Sequence, residues 1–336
     1  MYSEHQIFVI LMSVGSPHGR KGIADYLGSM HRNHKITRSL VAGILKDPRN
    51  AATVANALKK PSEDQLAALR EKYTKIGGRS PLVRITLKQA NMLHSRLKNI
   101  GIDAKVLVGM KHLRPSIDEA VAKAKNSPNP LLIGIVMFPT YSKVYGDEYE
   151  ETFVSSLKKY GFGKNGVIVK SWDDNEKLSE AWQSAISKPY AKLRKLRTMV
   201  IFATHSLPKV FIDGGDPYIR NFESFAARIA KSLDLQDWSC AYYTGGHPAP
   251  VREITGFVRE CKKNGYDHVL IVPLGYVADN FETLYGLAAM CKEAASASRI
   301  GITLVKPLNG SAKLAEALSD IVVDKIQHAR KLLSLR

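Results

Sequence analysis

Apolar residues along this chain fall in short runs, each closed by turn or polar residues. The runs are "IFVILMSV" (7–14), "AKVLVGM" (104–110), "LLIGIVMF" (131–138), "GVIVKSW" (166–172), "TMVIFAT" (198–204), "WSCAYYT" (238–244), "HVLIVPLGY" (268–276) and "GITLVKP" (301–307). Most are nearly continuous rather than alternating, the pattern of strands buried on both faces of a parallel sheet. The stretches between them carry helical spacing. "SPLVRITLKQANMLHSRLKNIG" (80–101) has an apolar stripe and stops at Gly101, and "DPYIRNFESFAARIAKSLDL" (216–235) reads the same way. "PSEDQLAALREKYTKIGG" opens a helix after Pro61-Ser62 with acids in its first turn, and a long amphipathic helix closes the chain. This alternation predicts an α/β fold with right-handed crossovers.

The eight runs divide four and four. The second and third of each half end on polar residues: "VGMKH" and "FPTYS", then "ATHSLP" and "PLGYVAD". That resembles a duplicated unit, although no residue-level repeat is visible. Two open sheets facing each other would leave a cleft at the carboxyl ends of their strands, where such folds bind ligands. Residues 34–60 are basic and alanine-rich, with one Asp and no Glu. They read as an excursion: a helical insertion, a lid or a lipid-facing hairpin. The expected division is 1–165 with that insertion, 166–310, and a C-terminal helix at 311–336 packing back on the first domain.

At 336 residues the chain exceeds what one core usually absorbs. Its formal charge of +18 points to acidic partners, whether anionic lipid, nucleic acid or a ligand bearing several carboxylates or phosphates. No DNA-binding motif and no aromatic–basic interleaving is present, so no nucleic-acid partner is expected. Peripheral contact with an anionic membrane stays open. Cys240, Cys261 and Cys291 are far apart, which suggests neither a disulfide framework nor a zinc site and cannot supply the four thiolates of an iron–sulfur cluster. No apolar run reaches the length of a membrane span, and the first apolar stretch lacks a basic segment before it. A cytoplasmic location is the expectation.

Two residues stand out chemically. His205 ends a strand, with Pro208 turning the chain three residues later. Glu282 falls just after Asp279-Asn280, in the first turn of the following helix. An imidazole and a carboxylate at two strand ends of one half suit a divalent metal such as Fe²⁺, and either can accept a proton. A helix-capping role for the carboxylate and a loop-tying role for the histidine are the structural alternatives. "GSPHGRKG" (15–22) lacks both G-x-G-x-x-G and G-K-[ST], so a nucleotide site has little support.

Seven stretches in order carry a resemblance: "GSP", "PSEDQLAALREKYTKIGGRSPL", "VGMKHLRPSIDEAV", "FPTYS", "SWDDNEKLSEAW", "FATHSLPKVFIDGGDPY" and "VPLGYVADNFETLYGL". Together they resemble the ferrochelatases, most of all the coproporphyrin-type enzymes of Gram-positive bacteria and related archaeal sequences. The resemblance implies two Rossmann-like domains, each with a four-stranded parallel sheet flanked by helices, and a porphyrin cleft between them. It implies insertion of Fe²⁺ into coproporphyrin III or protoporphyrin IX, with no cofactor beyond the substrate iron. It places the metal site on His205 and Glu282, and porphyrin contacts on Met30, His31, Lys72, Tyr73, Ser80 and Tyr141. The chain departs from the family pattern in four places. Val14 stands where a tyrosine is usual, and Asn280 replaces a histidine. Gly286, Ala288 and Met290 replace an acidic ridge, and "HPAPVREI" replaces "PWLGP". His247 and Asp279 are the candidates to compensate. Two alternatives follow from the departures: a chelatase-like protein that binds haem or porphyrin without inserting metal, and a chelatase for another metal and tetrapyrrole.

Overall fold

The computed structural model describes residues 6–33, 62–245 and 251–334, without the side chains at 20, 31–33 and 330–334. The excursion at 34–60 and His247 lie outside the described residues. Strands β1 (Gln6–Ser13), β2 (Ala104–Met110), β3 (Pro130–Val136) and β4 (Gly166–Val169) form one sheet in the order β2-β1-β3-β4. Strands β5 (Thr198–His205), β6 (Trp238–Tyr243), β7 (His268–Val272) and β8 (Gly301–Leu304) form a second in the order β6-β5-β7-β8. All pairs are parallel. The two orders are one topology used twice.

Helices α1 (Ile23–Asn33), α2 (Glu63–Thr74) and α3 (Leu82–Asn99) lie between β1 and β2. Helix α4 (Ile117–Ala122) leads to β3, α5 (Lys143–Lys159) to β4, and α6 (Glu176–Ala191) crosses to the second sheet. There α7 (Lys209–Asp213) and α8 (Tyr218–Ser232) precede β6, and α9 (Ile254–Lys263) precedes β7. A π-helix, Glu282–Met290, runs into α10 (Cys291–Ser298) before β8, and α11 (Ala312–Ser334) closes the chain.

Strand period decides where each side chain goes. Ile7, Val9 and Leu11 of β1 enter one core, while Phe8, Ile10 and Met12 enter another with Val121, Phe153 and Leu157. In β5, Val200 and Phe202 join the first of these cores, while Met199, Ile201 and Ala203 pack with Ile254, Val258 and Leu287. The largest core therefore spans both sheets. Leu178 and Trp182 of α6, Phe222 and Phe225 of α8, and Leu318 and Val322 of α11 fill it. Helix α11 packs on α3 of the first half and on α6.

Two expectations change. The boundary at 165 falls ahead of β4, yet β4 pairs with β3 through Leu132–Gly166 to Ile135–Val169 and completes the first sheet. Composition cannot show this, because β4 is short and only Val169 in it is buried. The run 268–276 is a strand only to Val272: Pro273 has no N–H for a ladder, and the Tyr276 N–H bonds back to the Pro273 carbonyl in a turn that leads to Glu282.

Candidate active site

His205 is the last residue of β5, in register with Tyr243 at the end of β6. Parallel strands thus deliver both side chains to the same end of the sheet. The β7 end comes close as well, because Gly275 carries no Cβ: one placed there would collide with the Thr204 hydroxyl. Past it, Tyr276 is buried and Asn280 caps the turn, its Oδ1 accepting from the N–H of Glu282 at 2.8 Å and of Thr283 at 3.0 Å. That cap fixes where Glu282 begins the π-helix. π-Helical turns are rare and concentrate at functional sites.

The result is a close pair. His205 Nδ1 lies 3.2 Å from Glu282 Oε2, and about 30% of each side chain is exposed. The contact has ion-pair distance but not hydrogen-bond alignment, which leaves Nδ1 without a hydrogen-bond partner. Tyr276 Oη donates to the same Oε2 at 2.5 Å. Burial works against a charged imidazole, but the Glu282 carboxylate outweighs it and holds His205 above its ordinary pKa of 6.5. Burial pushes Glu282 upward in turn. His205 and then the Tyr276 hydroxyl pull it below its ordinary 4.5. Among the described residues no third His, Cys, Asp or Glu completes a metal cluster. A two-group site binds a divalent ion loosely and leaves most of its coordination positions to something else.

Phenols surround the pair. Tyr145 of α5 lies edge-on to His205 with ring centroids 6.4 Å apart, and Tyr243 does so at 6.2 Å. Tyr73 stacks on Phe281 at 4.6 Å, and Phe281 stacks on Tyr285 at 5.4 Å. Tyr26, Tyr73, Tyr145, Tyr218, Tyr243 and Tyr276 all have raised pKa values, through burial first and also through the Glu282 charge. The Glu282 charge is felt by all six phenols, and the Tyr276 hydroxyl bonds to it directly, so the surroundings of the pair are aromatic and polar at once. The halves are tied beside it: Asp216 accepts from Ser142 Oγ at 2.9 Å and from the Val144 N–H at 3.0 Å, which seats Tyr145 over His205.

The other expected site residues spread out. Tyr73 is among these phenols, and Lys72 Nζ sits 5.8 Å from the Tyr285 ring centroid. Met30 is half-buried at the end of α1, whereas the side chain of His31 lies outside the described residues. Ser80 Oγ accepts from the Leu82 N–H at 3.3 Å, before α3. Tyr141 is not brought to the pair: its hydroxyl donates to Asp147 Oδ1 at 3.1 Å, within a cluster that Lys170 bridges to Glu150. Tyr145, Tyr243 and Tyr26 were missed. The register of β5 and β6 was the signal for Tyr243, since both runs end in the same layer. Asp279 is held by Asn309, whose Nδ2 donates to it at 2.8 Å, so it fastens the loop. Val14 packs on Leu82, Ile85 and Ala278 as an apolar contact. Gly286 has a packing cause, because a Cβ there would come 2.5 Å from the Tyr243 ring.

Two four-stranded parallel sheets of one topology, flanked by helices, are the fold this chain shares with solved chelatases. SirB from Bacillus subtilis, solved with Fe³⁺, matches at a TM-score of 0.58 over 97% of this chain and 98% of its own, at 9% identity. The sirohydrochlorin chelatase SirB from Bacillus subtilis subspecies spizizenii, in complex with cobalt, matches at a TM-score of 0.50 over 96% and 95%, at 7% identity. The family model described as Ferrochelatase matches residues 6–326, and the chain belongs to the ferrochelatase family. Among its relatives are the coproporphyrin III ferrochelatases of Geobacillus sp. (strain WCH70) and Bacillus subtilis (strain 168). The first is 30% identical over 80% of this chain and 89% of its own length, the second 31% identical over the same shares.

Proposed function

We propose that this chain inserts Fe²⁺ into coproporphyrin III in haem biosynthesis, with His205 and Glu282 as the groups that handle metal and protons. The observation that carries the reading is the His205–Glu282 contact of 3.2 Å, half-buried beside the Tyr145, Tyr243 and Tyr276 rings. Metallation exchanges one Fe²⁺ for the two pyrrole N–H protons and releases both. The Glu282 carboxylate favours a cation beside it, whether the imidazolium proton or the incoming metal, so iron displaces the proton that the pair holds. As iron passes from the pair into the ring, the freed His205 imidazole accepts one pyrrole proton and the freed Glu282 carboxylate the other, and both are released to water. Tyr276 keeps its hydrogen bond to Glu282 and fixes the carboxylate's direction. Tyr285, half-buried and backed by the stacked Phe281 and Tyr73 rings, supplies an aromatic contact suited to a macrocycle. A two-group site suits iron as cargo better than iron as a resident cofactor. The net charge of +18 favours a substrate with four carboxylates. The name of the curated relatives supports the same substrate. A cytoplasmic site of action is part of this reading; among the described residues no helix is long and apolar enough to cross a membrane.

Anaerobic mixing with Fe²⁺, followed by porphyrin fluorescence and the Soret band, tests the reaction. Conversion of coproporphyrin III faster than protoporphyrin IX is expected. Tight porphyrin binding without conversion by Fe²⁺ would overturn the proposal in favour of a carrier.

A further inference from the structure

Strand β8 closes one side of the second sheet, and its outer edge is bare. The Gly301 N–H donates to the Asp267 carbonyl and the Val305 N–H to the Ile271 carbonyl, both at 2.9 Å, so alternate residues of β8 face β7. The N–H and C=O groups of Ile302 and Leu304 therefore point away from the sheet. Among the described residues no strand pairs with them. The opposite edge is treated differently. There β6 is bridged by the segment before α9, with the Tyr242 N–H donating to the Arg252 carbonyl at 2.9 Å. Edge strands are commonly blunted by a charge, a proline or a bulge. Within its four residues, Gly-Ile-Thr-Leu, β8 has none of these.

A cavity lies on each face of this edge. On one face, a cavity of about 360 Å³ separates β8 from the π-helix; Ile302, Leu304, Leu284 and Leu287 line it, with Lys292 beside them. Its one carboxylate, Asp279, is already bonded to Asn309. On the other face, a cavity of about 410 Å³ opens between β8, α6 and the start of α11, and Lys313 lines it without any carboxylate. Lys306 borders both cavities. Lys306 and Lys313 are exposed, and among the described residues neither makes an ion pair. The equivalent place in the first sheet is already satisfied, because Lys170, just after β4, pairs with Asp147 and Glu150. One cavity is thus largely apolar, and the other carries two cations that nothing described here neutralises.

We propose that the β8 edge docks an extended segment of an acidic partner protein, which adds a fifth strand to the second sheet. Its apolar side chains enter the cavity beside the π-helix, and its carboxylates meet Lys306 and Lys313. The outward backbone groups of Ile302 and Leu304 supply the ladder bonds. Side chains of a strand alternate between faces, so a segment that alternates apolar and acidic residues satisfies both cavities at once. Charge selects against the other ready occupant, a second copy of this chain. Twofold pairing of two β8 edges brings the lysines of one copy toward those of the other, on chains that each carry +18. The surface is independent of the porphyrin reading, and it seats the partner against the helix that begins at Glu282.

The test is fluorescence anisotropy of a labelled octapeptide that alternates valine and glutamate, titrated with the full chain. One control peptide has the same composition in two blocks, valines then glutamates; another has lysine in place of glutamate. The alternating acidic peptide is expected to bind at least about tenfold more tightly than either control. Lys306→Glu/Lys313→Glu should weaken it about tenfold, since two attractions become repulsions. Ile302→Pro removes an outward N–H that no described strand uses, and should also weaken it about tenfold. Ile302→Ala keeps that N–H and should weaken it by less than about threefold. Thermal melts show whether the variants are folded, and the comparison of peptides on wild type stands in either case. Equal binding of the three peptides, or binding of none, overturns the proposal. A folded Ile302→Pro protein that binds as well as Ile302→Ala overturns it too. A dimer in sedimentation that Ile302→Pro dissolves also overturns it, and makes the edge a contact between copies.

Discussion

His205 and Glu282 make one electrostatic unit, and its titration has a definite sign. The folded pKa of His205 is raised and that of Glu282 is lowered. Their attraction therefore stabilises the fold between the two. It is lost below, as pH falls through the lowered Glu282 value, and above, as pH rises through the raised His205 value. NMR titration of the imidazole should place its midpoint above 6.5 in the wild type. In Glu282→Gln only the burial effect is left, so the midpoint should drop below that of the wild type. A midpoint that does not move would show that the carboxylate does not set it. Neutral imidazole is the form that takes a proton or a metal, so insertion should quicken as pH rises through the wild-type midpoint. Gly286 gives a second prediction at this scale. Restoring an acid with Gly286→Glu drives a Cβ to 2.5 Å from the Tyr243 ring, which should destabilise by about 1–3 kcal/mol in a thermal melt. The Gly286→Glu/Tyr243→Ala double variant should lose less stability than the two single variants added together. An unaffected melt in the single variant would mean that the ring moves freely.

Elements explain why these residues meet. Strand ends carry His205 and Tyr243 because the β5–β6 register puts them side by side. The Asn280 cap and the π-helix carry Glu282. The strand runs and the helical stretches were legible in the sequence, and so were the two ends that hold the pair, because continuous apolar runs and capping residues are local signals. The π-helical form of 282–290 was not: "ETLYGLAAM" has no local signature of a π turn, and the Tyr243 ring that packs over Gly286 comes from a strand distant in the sequence. Nor was the gathering of phenols legible, since Tyr26, Tyr73 and Tyr145 come from three separate helices. The same limit applies to Lys111 and Glu148. They pair at 3.2 Å with 6% and 2% of their side chains exposed, one just after β2 and the other within α5. Lys111→Met takes the paired cation away from a buried carboxylate and should cost about 3–5 kcal/mol in denaturant unfolding, with Lys111→Met/Glu148→Leu recovering most of it. A single variant as stable as wild type would mean that water reaches Glu148.

The whole molecule is two copies of one topology welded by a shared core. Leu178 and Trp182 of α6 sit in the same cluster as Leu11 of the first sheet and Phe202 of the second. The halves should unfold together: thermal melts followed by far-ultraviolet dichroism and by tryptophan fluorescence should coincide, whereas two separated transitions would show independent domains. This weld also explains why the division at 165 misses β4. The first unit is closed by backbone pairing, and α6 belongs to both units through its packing. At this scale the account comes down to one claim, that the cleft between the halves holds a porphyrin against His205. The most direct measurement is single-turnover conversion of bound coproporphyrin III by Fe²⁺ under anaerobic conditions, comparing wild type with His205→Ala at equal porphyrin occupancy. The account predicts retained porphyrin binding and an insertion rate lower by about a hundredfold or more, the range expected for loss of a positioned proton acceptor. Full-rate insertion by the variant would contradict it and would place the chemistry elsewhere in the molecule.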